Sequence, residues 1–272
     1  MMIETNQFAR VLLGNEIRQG LLSDEFCLHY QPQFSSEGEL YGVEALARWY
    51  LPVFGWVSPA RFIPMAEESG AIIELGDWVI CTACQQLRFW QSLGIDGLTM
   101  SINVSTTQIS RPNFPQSIAD KLCEYDLKPA SLTLEITETD YFEHFNGSFK
   151  DLEVLRDIGV NLALDDFGIG HSSFQWLAEL PVNILKLDRS FVRSLNREST
   201  RSVVRNLFQM ASDLSLKVVA EGVETEVELG FLQSMSPCHF QGFLMGRPRD
   251  AVSVTSELLM QNQYRGRQQL IS

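Results

Sequence analysis

The sequence predicts an α/β fold, a (β/α)8 TIM-like barrel with an antiparallel first strand, on three observations. Apolar stretches of strand length recur along the chain, and amphipathic helical stretches separate the later ones. Eight such stretches fit within 272 residues, a length at which α/β barrels form a single domain. Only SSEGE and one leucine separate the first two, and so short a connection makes a hairpin, because a parallel crossover needs about a dozen residues or more.

Taken in order, the predicted strands are FCLHYQPQF (26–34), YGVEALARW (41–49), LTMSINVS (98–105), LTLEIT (132–137), NLALDDF (161–167), ILKLD (184–188), KVVAEG (217–222) and CHFQGFL (238–244). After the second strand, Ser58-Pro59 reads as a helix N-cap followed by proline at the first helical position, ahead of ARFIPMAEES. GDWVICTACQQLRFW, FKDLEVLRDIG and TRSVVRNLFQMASDLS place apolar residues at helical spacing. No Pro/Gly/Ser-rich linker or charge block divides the chain, so one domain suffices.

Composition narrows the function classes. A net charge of −13 argues against a broad grip on long nucleic acid, which rests on lysine and arginine neutralising phosphates. A phosphate ligand should therefore be small and locally held. No apolar run approaches a membrane span, and the start lacks the basic-then-apolar layout of a secretion signal, so a cytoplasmic domain without membrane contact is expected. The cysteines at 27, 81, 84, 123 and 238 are odd in number and scattered, which fits reduced thiols. Cys81 and Cys84 have CxxC spacing but no second pair to complete a zinc site, and the four histidines show neither HxH nor HxxxH.

The segment LALDDFGIGHSSF ends an apolar strand on two adjacent carboxylates. Neighbouring strand residues face opposite ways, so Asp165 and Asp166 can share a target only where the strand ends and the backbone turns. Gly168 and Gly170 would supply that turn. Alone, the pair could equally be a solvated strand end or a helix cap. In a barrel, however, chemistry sits at the carboxyl ends of the strands. There the sequence places Glu44, Asn103, Glu135, Asp165 with Asp166, Lys186 with Asp188, Glu221 and Gln241. So many acids on one rim would repel one another without cations.

Hard oxygen ligands without histidine or cysteine point to Mg²⁺ or Mn²⁺, and the number of carboxylates suffices for two ions per site. Two ions together suit a phosphodiester, whose charge and leaving oxygen they neutralise. Ca²⁺, with its longer and looser shell, is expected to compete and inhibit. Lys186 amid these acids would be held charged near the attacking water, or would serve as the ion-pair partner that keeps the acids together.

With these residues placed, the chain resembles the EAL domain family of cyclic di-GMP-specific phosphodiesterases. The likeness runs from YQPQF to QGFLMGRP through EALARW, FIPMAEESG, SINVS, LEITET, DDFGIGHSS, LKLDRSFV and VVAEGVE. It implies hydrolysis of cyclic di-GMP to linear 5′-pGpG on a barrel with an antiparallel first strand. Glu44, Asn103, Glu135 and Asp165 would hold one metal, and Asp165, Asp166 and Glu221 the second. The catalytic set would be Glu44, Lys186, Asp166, Glu221 and Gln241, with Lys186 beside the attacking water and Gln241 orienting solvent. Gln31, Leu46, Arg48 and Asp188 would contact substrate, Arg48 through a phosphate, and Glu138 would steady the loop after the aspartate pair.

Ile169, His171, Asn183 and Phe243 depart from the family's usual threonine, tyrosine, aspartate and tyrosine, and the first two bear on coupling to a homodimer partner. ARVLLGNEIRQGLLSDEF resembles a lead-in helix. The expected division is therefore 1–25 as lead-in from an upstream sensory or diguanylate-cyclase module and 26–272 as the barrel. No GGDEF-type motif is present, so synthesis of the dinucleotide is not expected. The rival readings are a non-catalytic cyclic di-GMP receptor or protein-interaction module on this fold, which lost metal ligands would favour, and an enolase-type lyase, which leaves Arg48 and the motif series unexplained.

Overall fold

The computed structural model describes residues 14–139, 150–168, 177–235 and 237–269, with backbone alone for 261–269. Its strands are β1 (Phe26–Phe34), β2 (Leu40–Leu51), β3 (Gly55–Val57), β4 (Thr99–Asn103), β5 (Leu132–Thr137), β6 (Asn161–Phe167), β7 (Ile184–Leu187), β8 (Lys217–Ala220), β9 (Cys238–Phe240) and β10 (Arg249–Asp250). Neighbours run parallel from β2 through β4, β5, β6, β7 and β8 to β9. β1 closes the barrel, antiparallel to β2 along its length and to β9 at the single pair Phe34–Phe240. The eight-stranded barrel with a reversed first strand is thus observed. β3 and β10, which the sequence reading lacks, extend the sheet beside β2 and β1 as short antiparallel additions.

Alternation along the strands sorts the residues into two environments. Outward residues such as Met100 and Ile102 on β4, Leu134 and Ile136 on β5, and Leu162 and Leu164 on β6 join the main core beneath the helices. Inward, Ala163, Ile184 and Val219 form a separate small apolar cluster. Two residues further along the chain from each stand Asp165 on β6, Lys186 on β7 and Glu221 just past the end of β8. The barrel interior is therefore floored with small and branched apolar groups and topped by charge.

Helices bury the outer face. Residues 14–22 form a helix whose Ile17 is fully buried, and Arg18 Nε donates to Glu74 at 2.7 Å on the helix Ile72–Ser92. Ser58 does occupy the N-cap of the helix Pro59–Ser69, with extended backbone and Pro59 after it, but its side chain makes no cap hydrogen bond. That helix ends at Gly70, whose φ of 75° only glycine adopts without strain. Cys84 is buried in the core while Cys81 Sγ meets the Tyr125 hydroxyl at 3.2 Å, so the CxxC pair has separate structural neighbours. Trp90 packs its ring 5.0 Å from Tyr30 and donates to Thr255 Oγ1 at 2.7 Å, tying the last helix (Ala251–Gln269) to the barrel. Among the described residues no helix is long and apolar enough to cross a membrane.

Candidate functional site

The carboxyl rim gathers the charged residues around one ammonium. Lys186, 1% exposed, places Nζ 2.6 Å from Glu135, 2.7 Å from Glu221, 3.1 Å from Asp165 and 3.7 Å from Glu44. Burial alone would discharge it, but the four carboxylates overcome this and hold its pKa well above the ordinary lysine value. The same contacts favour its charged form.

The two aspartates reach the site by a device other than the one expected. β6 does not stop at them; it runs on to Phe167, which pairs with Leu187, and the register slips between Leu164 and Phe167. Asp166 takes a left-handed φ of 54°, and its N–H donates to Asp165 Oδ1 at 2.8 Å. The extra residue in the ladder is a bulge, which aspartate tolerates in this region better than most side chains. Gly168 follows at φ 99° and donates its N–H to Glu138 Oε2 at 2.6 Å, so Glu138 grips the chain just past the aspartates. Gly170, Ile169 and His171 lie outside the described residues.

On the opposite side, Glu44 receives an amide hydrogen on each oxygen. Asn103 Nδ2 donates to Oε1 at 2.7 Å and Gln241 Nε2 to Oε2 at 2.5 Å. Burial opposes the Glu44 charge, yet Lys186 and these two donors outweigh it and hold its pKa below the usual carboxylate range. Gln241 is held in place by its own backbone, whose N–H donates to Ala220 O at 2.9 Å and whose carbonyl accepts from Val223 N at 3.1 Å. A Cβ on the next residue, Gly242, would overlap the Val223 backbone. Gly242→Ala is therefore expected to cost about 1–3 kcal/mol through overpacking that only a backbone shift can relieve, measurable by urea unfolding.

The predicted substrate contacts are spread along the rim. Leu46 and Arg48 line a pocket of about 240 Å³ together with Ile63, Leu75, Asn103 and Gln108. Arg48 Nη1 donates to Ala47 O at 2.9 Å and the side chain is half-buried. Gln31 turns inward, accepting from Gln241 at 3.2 Å and donating to Gly246 O at 3.2 Å. Asp188 caps the short helix Arg189–Arg193 by accepting from Ser190 N at 2.8 Å, and it borders a cleft shared with Asp166 and Glu221. Two of the family departures have local explanations. Asn183 bridges β6 and β7, accepting from Leu162 N at 2.9 Å, and Phe243 lies under the Arg247 guanidinium at 4.1 Å. One rim residue escapes the sequence reading. Gln33 donates to Gln241 Oε1 at 2.8 Å, and its signal was its position two residues after Gln31, on the same strand face.

The charge balance tests whether divalent ions fit. Glu44, Glu135, Asp165, Asp166 and Glu221 put five carboxylates around one ammonium. Burial, then the charges of Asp165 and Asp188, push Asp166 up to about 6. Burial, joined by Asp165 and Glu44 against Lys186, pushes Glu221 up to about 8. Burial with the neighbouring acids likewise raises Glu135 and Asp165. Asp165, Asp166 and Glu221 bring ligand oxygens within 4.8 Å of one another, near the roughly 4 Å span across an octahedral shell with bonds of 2.0–2.1 Å. A site that strains to stay ionised, built from hard oxygens, fits small divalent cations.

Comparison with known proteins agrees with this geometry. The chain is 40% identical over 247 residues to the oxygen sensor protein DosP of Escherichia coli K12, covering 90% of this chain and 31% of that protein. It is 37% identical over 251 residues to the bifunctional diguanylate cyclase/cyclic di-GMP phosphodiesterase MucR of Pseudomonas aeruginosa, covering 92% of this chain and 37% of that one. The chain thus spans about a third of the length of these curated relatives. The solved PaMucR phosphodiesterase in complex with c-di-GMP superposes with a TM-score of 0.83 at 37% identity, covering 89% of this chain and 99% of that one. The family model described as the EAL domain matches residues 14–248, and the chain belongs to the EAL domain family.

Proposed function

We propose that this chain hydrolyses one phosphodiester bond of cyclic di-GMP to give linear 5′-pGpG, with two Mg²⁺ or Mn²⁺ ions. The observation that carries the reading is the convergence of Glu44, Glu135, Asp165 and Glu221 on Lys186 at the barrel rim, with Asp166 and Asn103 beside them, in a family whose relatives include a cyclic di-GMP phosphodiesterase solved with that dinucleotide. Glu44, Asn103, Glu135 and Asp165 would hold one ion and Asp165, Asp166 and Glu221 the other. When bound, the ions would supply Lewis acidity to the scissile phosphate and ease ionisation of the attacking water.

The remaining roles belong to the chain. The water oxygen forms the new P–O bond, the P–O3′ bond breaks, and a proton ends on the 3′ oxygen. Lys186, whose charged form the surrounding carboxylates favour, can orient that water by donating hydrogen bonds. Gln241, through Glu44, fixes one carboxylate orientation, and Glu138 holds the bulged aspartate segment. Arg48 pairs with a phosphate, while Leu46 offers the pocket's apolar wall to base or sugar.

Arg48→Ala is expected to raise KM about 10–100-fold, the equivalent of a charge-assisted hydrogen bond of 1.5–3 kcal/mol, with metal affinity unchanged. Unchanged KM with lost metal binding would contradict its role. The reading also takes residues 1–25 as a lead-in from an upstream signalling module and 26–272 as the barrel, acting in the cytoplasm as a homodimer coupled near 169–171. The threefold greater length of the relatives supports further modules. Incubating the purified chain with cyclic di-GMP and Mg²⁺, with mass analysis of the product, tests the activity. 5′-pGpG is the expected species, and tight binding without product would instead support the receptor reading.

A further inference from the structure

Gln33 is 1% exposed on the inner face of β1, opposite Gly42 of β2. Its Nε2 donates to Gln241 Oε1, and Gln241 Nε2 in turn serves Glu44 Oε2 and Gln31 Oε1. The direction of this relay is forced at its ends. An ionised carboxylate can only accept, so Gln241 must turn its NH₂ toward Glu44. The far end of Gln31 gives the same sense, since its Nε2 donates to the Gly246 carbonyl and its Oε1 is left to accept. Gln241 therefore presents its oxygen to position 33, which has to be a donor.

Meeting that demand leaves Gln33 Oε1 buried without a hydrogen-bond partner from the protein. Such an orphan costs about 1–3 kcal/mol, which an apolar side chain of the same size would avoid. Gly42, lacking a Cβ, leaves the room in which that oxygen sits. A residue kept at a local cost to stability, whose one hydrogen bond points at a partner of Glu44, has its role in the site.

We propose that Gln33 is a positioning residue for the proposed hydrolysis: its amide N–H anchors the Gln241 oxygen, which holds the carboxamide where its Nε2 reaches Glu44 Oε2 and so keeps the Glu44 carboxylate in its ligating orientation. This rests on Glu44 being a metal ligand. In Gln33→Met the anchor on the Gln241 oxygen is lost and the carboxamide can shift away from Glu44, whereas Gln33→Lys restores a donor and removes the orphan oxygen.

The test uses the full chain, with Mn²⁺ alone as the binding probe and cyclic di-GMP turnover as a second readout. Gln33→Met is expected to lose about tenfold in Mn²⁺ affinity and kcat, the low end of the effect of outer-shell partners, with KM within about twofold and thermal stability equal to or above wild type. Gln33→Lys is expected to stay within about threefold of wild type in both readouts. A merely structural role would give a less stable methionine variant and no rescue by lysine. Wild-type Mn²⁺ affinity in Gln33→Met would overturn the proposal while leaving hydrolysis standing. Wild-type chain that binds Mn²⁺ without turnover would overturn hydrolysis, and Gln33 would then be judged on Mn²⁺ affinity alone. No Mn²⁺ binding by wild type would overturn both.

Discussion

Lys186→Met is expected to destabilise the metal-free chain by about 3–5 kcal/mol, the usual cost of removing one partner from a buried ion pair and leaving its counterpart uncompensated. Here the counterparts are four carboxylates within 3.7 Å of Nζ, and the small apolar cluster of Ala163, Ile184 and Val219 offers them no other partner. Mn²⁺ should return most of that stability, because ions that bind only the folded state stabilise it by mass action. Denaturant unfolding in EDTA and in Mn²⁺ reads both effects. Equal stability of variant and wild type in EDTA would show that the carboxylates do not depend on Lys186.

The second large effect is on turnover. Glu44→Gln is expected to lower kcat about 10²–10³-fold, the range seen when a single preorganised electrostatic group is removed at a reacting centre. The amide is isosteric and still accepts one hydrogen bond, but it cannot accept from both Asn103 and Gln241 as the carboxylate does. One donor is left unsatisfied, while one negative charge leaves a crowded ring, so folding stability should change little. Turnover near wild type, or collapse of the fold with loss of activity, would each contradict the assignment.

Much of the barrel was legible because its strands are short, apolar and bounded by turn signals. β1, β5 and β6 have the predicted bounds, and the reversed first strand followed from a connection too short for a crossover. β3 and β10 were not legible, since three and two residues are too few to show a period. The rim acids were readable as strand-end residues, and alternation accounts for Asp165, Lys186 and Glu221 sharing a layer. The bulge at Asp166 was not readable. A left-handed residue inside a strand leaves no periodic trace, and the neighbouring glycine at 168 drew the expected turn two residues too late. Asp188 likewise reads as a rim carboxylate, whereas its hydrogen bond to Ser190 also makes it a helix cap. Gln33 was missed because, at the far end of a reversed strand, it lies away from the strand ends read as the rim. Only the reversal of β1, which sets Gln33 beside the end of β9, turns it toward Gln241.

The central claim is that divalent ions held by the rim carboxylates carry out phosphodiester hydrolysis, and exchanging the ion tests it most directly. Mg²⁺ and Mn²⁺ form compact octahedral shells, whereas Ca²⁺ takes more ligands at 2.3–2.6 Å and polarises water less. Initial rates of 5′-pGpG formation from cyclic di-GMP are to be measured with each ion alone, with Mg²⁺ titrated by Ca²⁺, and in EDTA. The account predicts turnover with Mg²⁺ or Mn²⁺, progressive inhibition by Ca²⁺ with the substrate still bound, and none in EDTA. Full activity in EDTA, or equal rates with Ca²⁺, would contradict it.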